Sequence, residues 1–316
     1  MRTQGGIKLK DKITWITALL FFIPILVVLY LLNLWYLLAL FAFISILLIY
    51  LFGEMKEIDP TLVVFSILGI LLVIFILLPL AELFNAALPD IQEALSDLEA
   101  INSIIISLSA AFVSTLIGLT LGIPLAYVMA RKDFPAKSFV EGVIDLPMVV
   151  PHTVAGIALL VVFGRNGTLG KPLGKAGLQF MDAFPGIVVA MLFVSIPFIV
   201  NQIREGFEDV DPRLEKVAMS LGSDRKRTFF TVSLPLIKRN ILSGAVMSWA
   251  RAISEFGAVV IIAYYPKSAP VYIYEVYTSY GLQASRPIAA LLLAICLSIF
   301  IVLRTISRRM SIYDKG

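Results

Sequence analysis

The chain has 316 residues, of which 59% are hydrophobic and 15% charged, against about 25% charged in an average soluble domain. A mean hydropathy of +0.93, with several apolar runs near the roughly 20 residues that cross a bilayer, excludes a soluble globular domain. The single cysteine, Cys296, excludes a disulfide framework. The slight excess of 26 Lys and Arg over 22 Asp and Glu follows membrane topology rather than a nucleic-acid surface.

The first 55 residues open on Arg2, Lys8, Lys10 and Lys12. Apolar runs follow over 13–31 and 34–52, broken only by Asn33. No small-x-small cleavage site follows the first run, so it is read as a retained span and the pair as an N-terminal transmembrane hairpin. Six more spans are expected at 62–82, 103–130, 139–163, 186–204, 241–263 and 288–303. The fourth of the eight is long enough to extend past the bilayer. The predicted fold class is therefore all-α integral membrane, with about eight transmembrane helices. With the N-terminus inside, the outer segments keep only Arg165, Lys171, Lys175, Lys267 and Arg286, and Arg251 alone lies within a span. The other basic residues fall inside, which predicts a multi-pass plasma-membrane protein with both termini cytoplasmic.

Of the expected outer loops, 83–102 is acidic with apolar residues at helical spacing and reads as a short surface helix. Segment 164–185 is glycine-rich. Segment 264–287 carries Tyr264, Tyr265, Tyr272, Tyr274, Tyr277 and Tyr280, a pattern that fits an interfacial belt and a partner-docking surface equally.

The inner segment 205–240 is the most informative. Asp211-Pro212 supplies an N-cap and a first-turn proline. Leu214, Val217, Ala218 and Leu221 then repeat at i, i+3, i+4 and i+7, one apolar stripe, and Gly222 ends the helix. Ser223 is expected to cap a second helix from Asp224 to about Val232, ended by Leu234-Pro235. An apolar face too short to span lipid needs either a partner or the membrane surface.

This segment, Glu215 to Gly222 followed after nine residues by Val232-Ser-Leu-Pro235, resembles the EAA loop of type I ABC-importer permeases. Ala218, Gly222, Leu234 and Pro235 fall on the pattern. Lys216 stands where the family has Glu, with Glu215 one residue early, and Val217 replaces the first Ala. The family's salt bridge is accordingly not expected from Lys216. The resemblance covers about 62–303. Asp145 to Leu159 is similar to the sulfate and molybdate branch, and Ser254 to Pro266, Ala269 to Glu275 and Ser285 to Ala289 look most like archaeal molybdate/tungstate permeases. It implies a six-helix permease core at 56–304, flanked by the hairpin 1–55 and a tail 305–316. It also implies a homodimer, two ABC ATPase subunits, an extracytoplasmic oxyanion-binding protein, and ATPase docking through Leu214, Glu215, Val217, Ala218, Leu221, Gly222, Leu234 and Pro235. Sulfate or thiosulfate is the alternative cargo.

Within the spans, Arg251 and Glu255 share a helical face and read as a structural ion pair or, for Glu255, as pore-lining. His152 lies between Pro151 and Thr153, close to Pro147. These prolines are expected to kink or break the span and to border a path. The histidine is expected to bond Asp145 or a freed carbonyl, or to face that path. His152, Thr153, Ser254 and Glu255 are thus the candidate path or gate residues. Gly118 and Gly122 predict close helix contact, within the chain or across a dimer. The hydroxyls of Ser107, Ser109, Ser114, Thr115 and Thr120 fit path lining or packing.

No His, Cys or Glu cluster offers a metal site. No Gly-x-x-x-x-Gly-Lys-Ser/Thr occurs, so no enzymatic activity or cofactor is expected of this chain, and ATP with Mg is expected on the partner ATPase. A secondary transporter or channel would instead show inverted repeats or midplane ion ligands; neither is evident in the sequence.

Overall fold

The computed structural model describes residues 60–313. The hairpin expected at 13–31 and 34–52 and the last residues, 314–316, lie outside these. The chain divides into two compact units, Met1–Asn85 and Ala86–Gly316. Nearly all of helix α1, Pro60–Ala87, belongs to the first unit. It contains the span expected at 62–82 and is apolar on every face, as a lipid-embedded helix is.

The second unit opens with a 3₁₀ turn, Leu88–Asp90, and α2, Ile91–Ser96, the short surface helix the acidic segment predicts. Helix α3, Leu98–Arg131, is capped by Asp97, whose carboxylate accepts from the amides of Glu99 and Ala100. Its 34 residues rise about 51 Å at 1.5 Å each, well beyond a hydrocarbon layer of about 30 Å. Helices α4, Lys137–Val149, and α5, His152–Phe163, follow. After them come α6, Gly170–Lys175, and α7, Phe184–Asp209. The inner segment holds α8, Arg213–Ser220, α9, Arg225–Thr228, a π-helical turn, Phe229–Ser233, and α10, Leu234–Leu236. Helices α11, Lys238–Ile253, α12, Val259–Ile262, and α13, Ala269–Tyr313, complete the unit.

Helix α7 is the hub, packed along both α3 and α11, which also touch each other. Gly118 and Gly122 let α3 approach it closely. A β-carbon at Gly118 would lie 2.6 Å from Ile199 Cδ1, and one at Gly122 2.9 Å from Ile199 Cγ2. The Gly-x-x-x-Gly pair therefore makes an intrachain contact. Ser107, Ser114 and Thr115 of the same helix are buried and serve packing, whereas Ser109 and Thr120 bond to their own helix backbone.

Among the described residues four segments are long and apolar enough to cross a membrane, Leu68–Ser96, Leu98–Arg131, Phe184–Asp209 and Ala269–Leu303. The α4–α5 pair, bent by 113°, makes a fifth if counted as one span. Two expectations need correction. The span expected at 241–263 is not one helix: α11 stops at Ile253, because the Glu255 carboxylate takes the Ala258 amide at 2.8 Å in place of a helical carbonyl. The tyrosine-rich segment 264–287 is not all loop. α13 starts at Ala269, whose amide bonds Ser107 Oγ at 2.7 Å. Its stripe of Ala269, Tyr272 and Val276 packs on Ala94, Ala100 and Ile104, and the Tyr272 hydroxyl donates to Asp97 at 2.7 Å. The helix is interrupted at Gly281, which has φ of 85°.

Candidate functional site

Two constellations are assembled from the predicted residues. The first is the inner helix pair. Asp211 caps α8 as expected, its carboxylate accepting from the Arg213 amide at 2.8 Å. Gly222 has φ of 93°. The Ser223 amide bonds the Ala218 carbonyl and the Gly222 amide bonds that of Met219, so the helix ends in a complete Schellman motif. Asp224, not Ser223, caps α9: its carboxylate accepts from the Arg227 amide at 2.6 Å, the N-cap-to-N3 geometry. Pro235 does not end the segment either. The π turn over Phe229–Ser233 widens the helix just before it, which relieves the clash that a proline makes with the preceding turn.

The apolar stripe divides cleanly. Leu214, Val217 and Leu221 are exposed, Leu221 at 84%, and Ala218 is half-buried. Leu234 is half-buried and Pro235 exposed. Glu215 points the other way and is buried. Arg131 Nε donates to Glu215 Oε1 at 2.9 Å, and the Tyr127 hydroxyl donates to Oε2 at 2.9 Å. Arg131 also donates to the Phe207 carbonyl. Tyr127 stands edge-on to Phe207 and Phe229. Burial pushes the Glu215 carboxyl up, but the hydrogen bonds from Arg131 and Tyr127 outweigh it and hold the group below its ordinary value. The ion pair is thus made by Glu215, one residue ahead of Lys216, which is exposed. Its partner, Arg131, is 84 positions away, so no local spacing reveals it.

The second constellation forms where two spans break. α4 and α5 part at Val150-Pro151, and α11 stops at Ile253. The breaks touch: a β-carbon at Gly257 would lie 2.7 Å from that of His152. Arg251 Nη2 donates to Glu255 Oε2 at 2.9 Å and lies 2.9 Å from His152 Nε2. Arg251 Nη1 reaches Ser254 Oγ at 3.3 Å. His152, Thr153 and Ser254 are exposed, whereas Glu255 is 1% exposed. The expected partner of His152 is corrected: Asp145 accepts instead from Asn201 Nδ2 at 2.7 Å. Sequence spacing identified the Arg251–Glu255 pair; the addition of His152, 99 positions away, comes from the fold. A cavity of about 350 Å³ opens along the second half of α7, lined by Met148, Asn201, Gln202, Arg204, Glu205, Glu208 and Met247 among others; none of His152, Arg251, Ser254 or Glu255 lines it.

Charge within interrupted spans is tolerated only inside protein or along a watery cavity, and broken spans of this kind fit a membrane transport permease. The chain belongs to the family described as the binding-protein-dependent transport system inner membrane component, whose model matches residues 118–312. It is 51% identical to the molybdate/tungstate transport system permease protein of Pyrococcus furiosus, over 76% of this chain and 92% of that one. Its identity to the corresponding protein of Thermococcus kodakarensis is 47%, over 78% of this chain and 96% of the other. A bacterial alginate ABC transporter, solved in complex with an alginate pentasaccharide-bound periplasmic protein, shares the fold with a TM-score of 0.63 and 17% identity, covering 82% of this chain and 98% of that one.

Proposed function

We propose that this chain is the translocating subunit of an ATP-driven importer for molybdate and tungstate. It works as a homodimer with two ABC ATPase subunits, which bind the ATP and Mg, and with an external oxyanion-binding protein. Both termini are cytoplasmic. The cargo assignment is supported by the names and identities of the archaeal relatives. One observation carries the coupling: α8 buries Glu215 inward and leaves Leu214, Val217 and Leu221 outward and exposed among the described residues. Such a face gains stability only by burying itself elsewhere. In this reading it seats in the ATPase, with Gly222, Leu234 and Pro235 shaping the turn and Ala218 allowing close approach. His152, Thr153, Ser254 and Glu255 mark the gate.

The test is co-expression with the partner ATPase. Leu221→Asp places a charge in the contact and reduces co-purification of the ATPase at least about tenfold, on the scale of one buried unpaired charge, while the permease still inserts in the membrane. Unchanged co-purification sinks the docking role. Tracer uptake by the reconstituted complex tests the cargo. Uptake of sulfate equal to that of tungstate and molybdate would favour the broader oxyanion assignment, and uptake without ATPase would favour a secondary transporter.

A further inference from the structure

We infer that α8 and α9 set a cationic rim beside the apolar stripe, and that the ATPase surface this permease accepts is an apolar seat edged with carboxylates, so that charge selects the matching ATPase. The inference rests on the ATPase-docking reading above and adds the chemistry of the partner's surface.

The stripe is turned away from lipid. Arg131 is the last residue of α3, and Phe207 lies in the last turn of α7. Both helices are long and apolar enough to cross the membrane. Glu215 is bound by Arg131, which also donates to the Phe207 carbonyl, so the back of α8 is held against the ends of two spans. Val217 lies about 160° round α8 from Glu215, at about 100° per residue. The exposed stripe therefore faces away from the bilayer, which leaves a protein, rather than the lipid surface that takes many amphipathic helices, to cover it.

The charge beside the stripe has one sign. Over Arg213–Thr228 the exposed charged side chains are Arg213, Lys216, Arg225, Lys226 and Arg227 against Asp224 alone. Asp224 is engaged as the cap of α9, and Glu215, the other acid of the stretch, is buried on Arg131. Arg213 and Lys216 each precede a stripe residue, so at about 100° per residue they line one edge of the stripe. Arg225, Lys226 and Arg227 follow the Gly222 turn at its C-terminal end. Among the described residues none of the five side chains makes an ion pair. Nor do they serve their own helices. Arg213 opens α8 and the other three open α9, where outward N–H groups make positive charge unfavourable. Arg204, Lys238 and Arg239 already stand at the adjoining span ends and hold them inside. An apolar centre with a charged rim is the usual build of a protein interface. Such a rim speeds encounter with an acidic partner and penalises a basic one.

The test measures association of the partner ATPase with the full-length permease, in uncharged detergent and in nanodiscs with and without anionic lipid. Salt is raised from about 50 to about 500 mM, which shortens the screening length about threefold. The wild-type association rate should fall at least about tenfold over that range. Arg225→Glu, Lys226→Glu and Arg227→Glu together should lower the low-salt rate at least about tenfold and remove most of its salt dependence, with dissociation little changed because the stripe is intact. The corresponding triple change to Gln should fall between that variant and the wild type. A wild-type rate indifferent to salt overturns the rim, even where a variant fails to fold. So does a wild-type rate in either triple variant. Salt dependence seen only in nanodiscs that contain anionic lipid assigns the cations to lipid and overturns it as well. Leu221→Asp separates the two readings. If it binds the ATPase normally, docking through α8 fails and the rim with it. If it loses the ATPase while the Glu variant binds at the wild-type rate, only the rim fails.

Discussion

Glu215 is the residue on which the inner helix pair hangs. It joins α8 to α3 through Arg131 and Tyr127, and Arg131 in turn joins α3 to the end of α7 through the Phe207 carbonyl. The Arg131 and Glu215 side chains are 7% and 10% exposed, so removing one strands the other. Glu215→Ala should cost about 3–5 kcal/mol, the range for breaking a buried pair. Arg131→Met with Glu215→Met, which removes both charges, should cost much less. Thermal unfolding in detergent measures both. The pH dependence has a definite sign. The folded carboxyl titrates below its ordinary value, so its stabilisation is fully present above the unfolded carboxylate pKa and is lost as pH falls through the folded one. Wild-type stability should decline across that acidic window, and Glu215→Gln should remove this part of the decline. Equal acid profiles for the two proteins would rule out the pair as a source of stability.

At the scale of elements, interruptions matter as much as helices. Gly257 permits the α11 break to lie against His152. Gly257→Ala would drive a methyl group into the His152 β-carbon at 2.7 Å, with backbone on both sides and no flexible chain end to yield. Overpacking of this kind costs about 1–3 kcal/mol. It should separate the two breaks and lower uptake while the distant α8 still binds ATPase. Loss of both functions together would show that the contact governs folding instead. The sequence made much of this level legible. The prolines around His152 signalled the α4–α5 break, and Gly222 marked the end of α8, because proline and glycine act through their own backbone. The stop of α11 was hidden in a run of apolar residues, because it depends on Glu255 turning its carboxylate to the Ala258 amide. The start of α13 was hidden for a similar reason: Tyr272 and Val276 repeat at helical spacing, but the surrounding tyrosines read as an interfacial loop until their stripe met α2 and α3.

On the scale of the whole second unit, the inner helix α8 and the membrane breaks are linked through α7. α8 is fixed to α3 by Glu215, α3 lies on α7 through Gly118 and Gly122, and α7 packs against α11, which carries Arg251. The Gly118–Gly122 pattern predicted a close contact without naming its partner, and the other links join distant positions, so the sequence identified the parts but not their connection. If ATP-driven motion at α8 reaches the breaks by this route, the α3–α7 contact must be stiff, and close-packed interiors transmit displacement rather than absorb it. Gly118→Leu tests this. The new side chain would collide with Ile199, whose Cδ1 is already 2.6 Å from where a β-carbon would lie, and force the helices apart at a cost of about 1–3 kcal/mol. Because α8 is anchored at Tyr127 and Arg131, more than two turns further along α3, ATPase association should survive. Tungstate uptake per ATP hydrolysed should fall, since hydrolysis would continue while its motion dissipated in the loosened contact. An unchanged ratio would mean that force passes from α8 to the gate by another route, such as directly through α10 into α11.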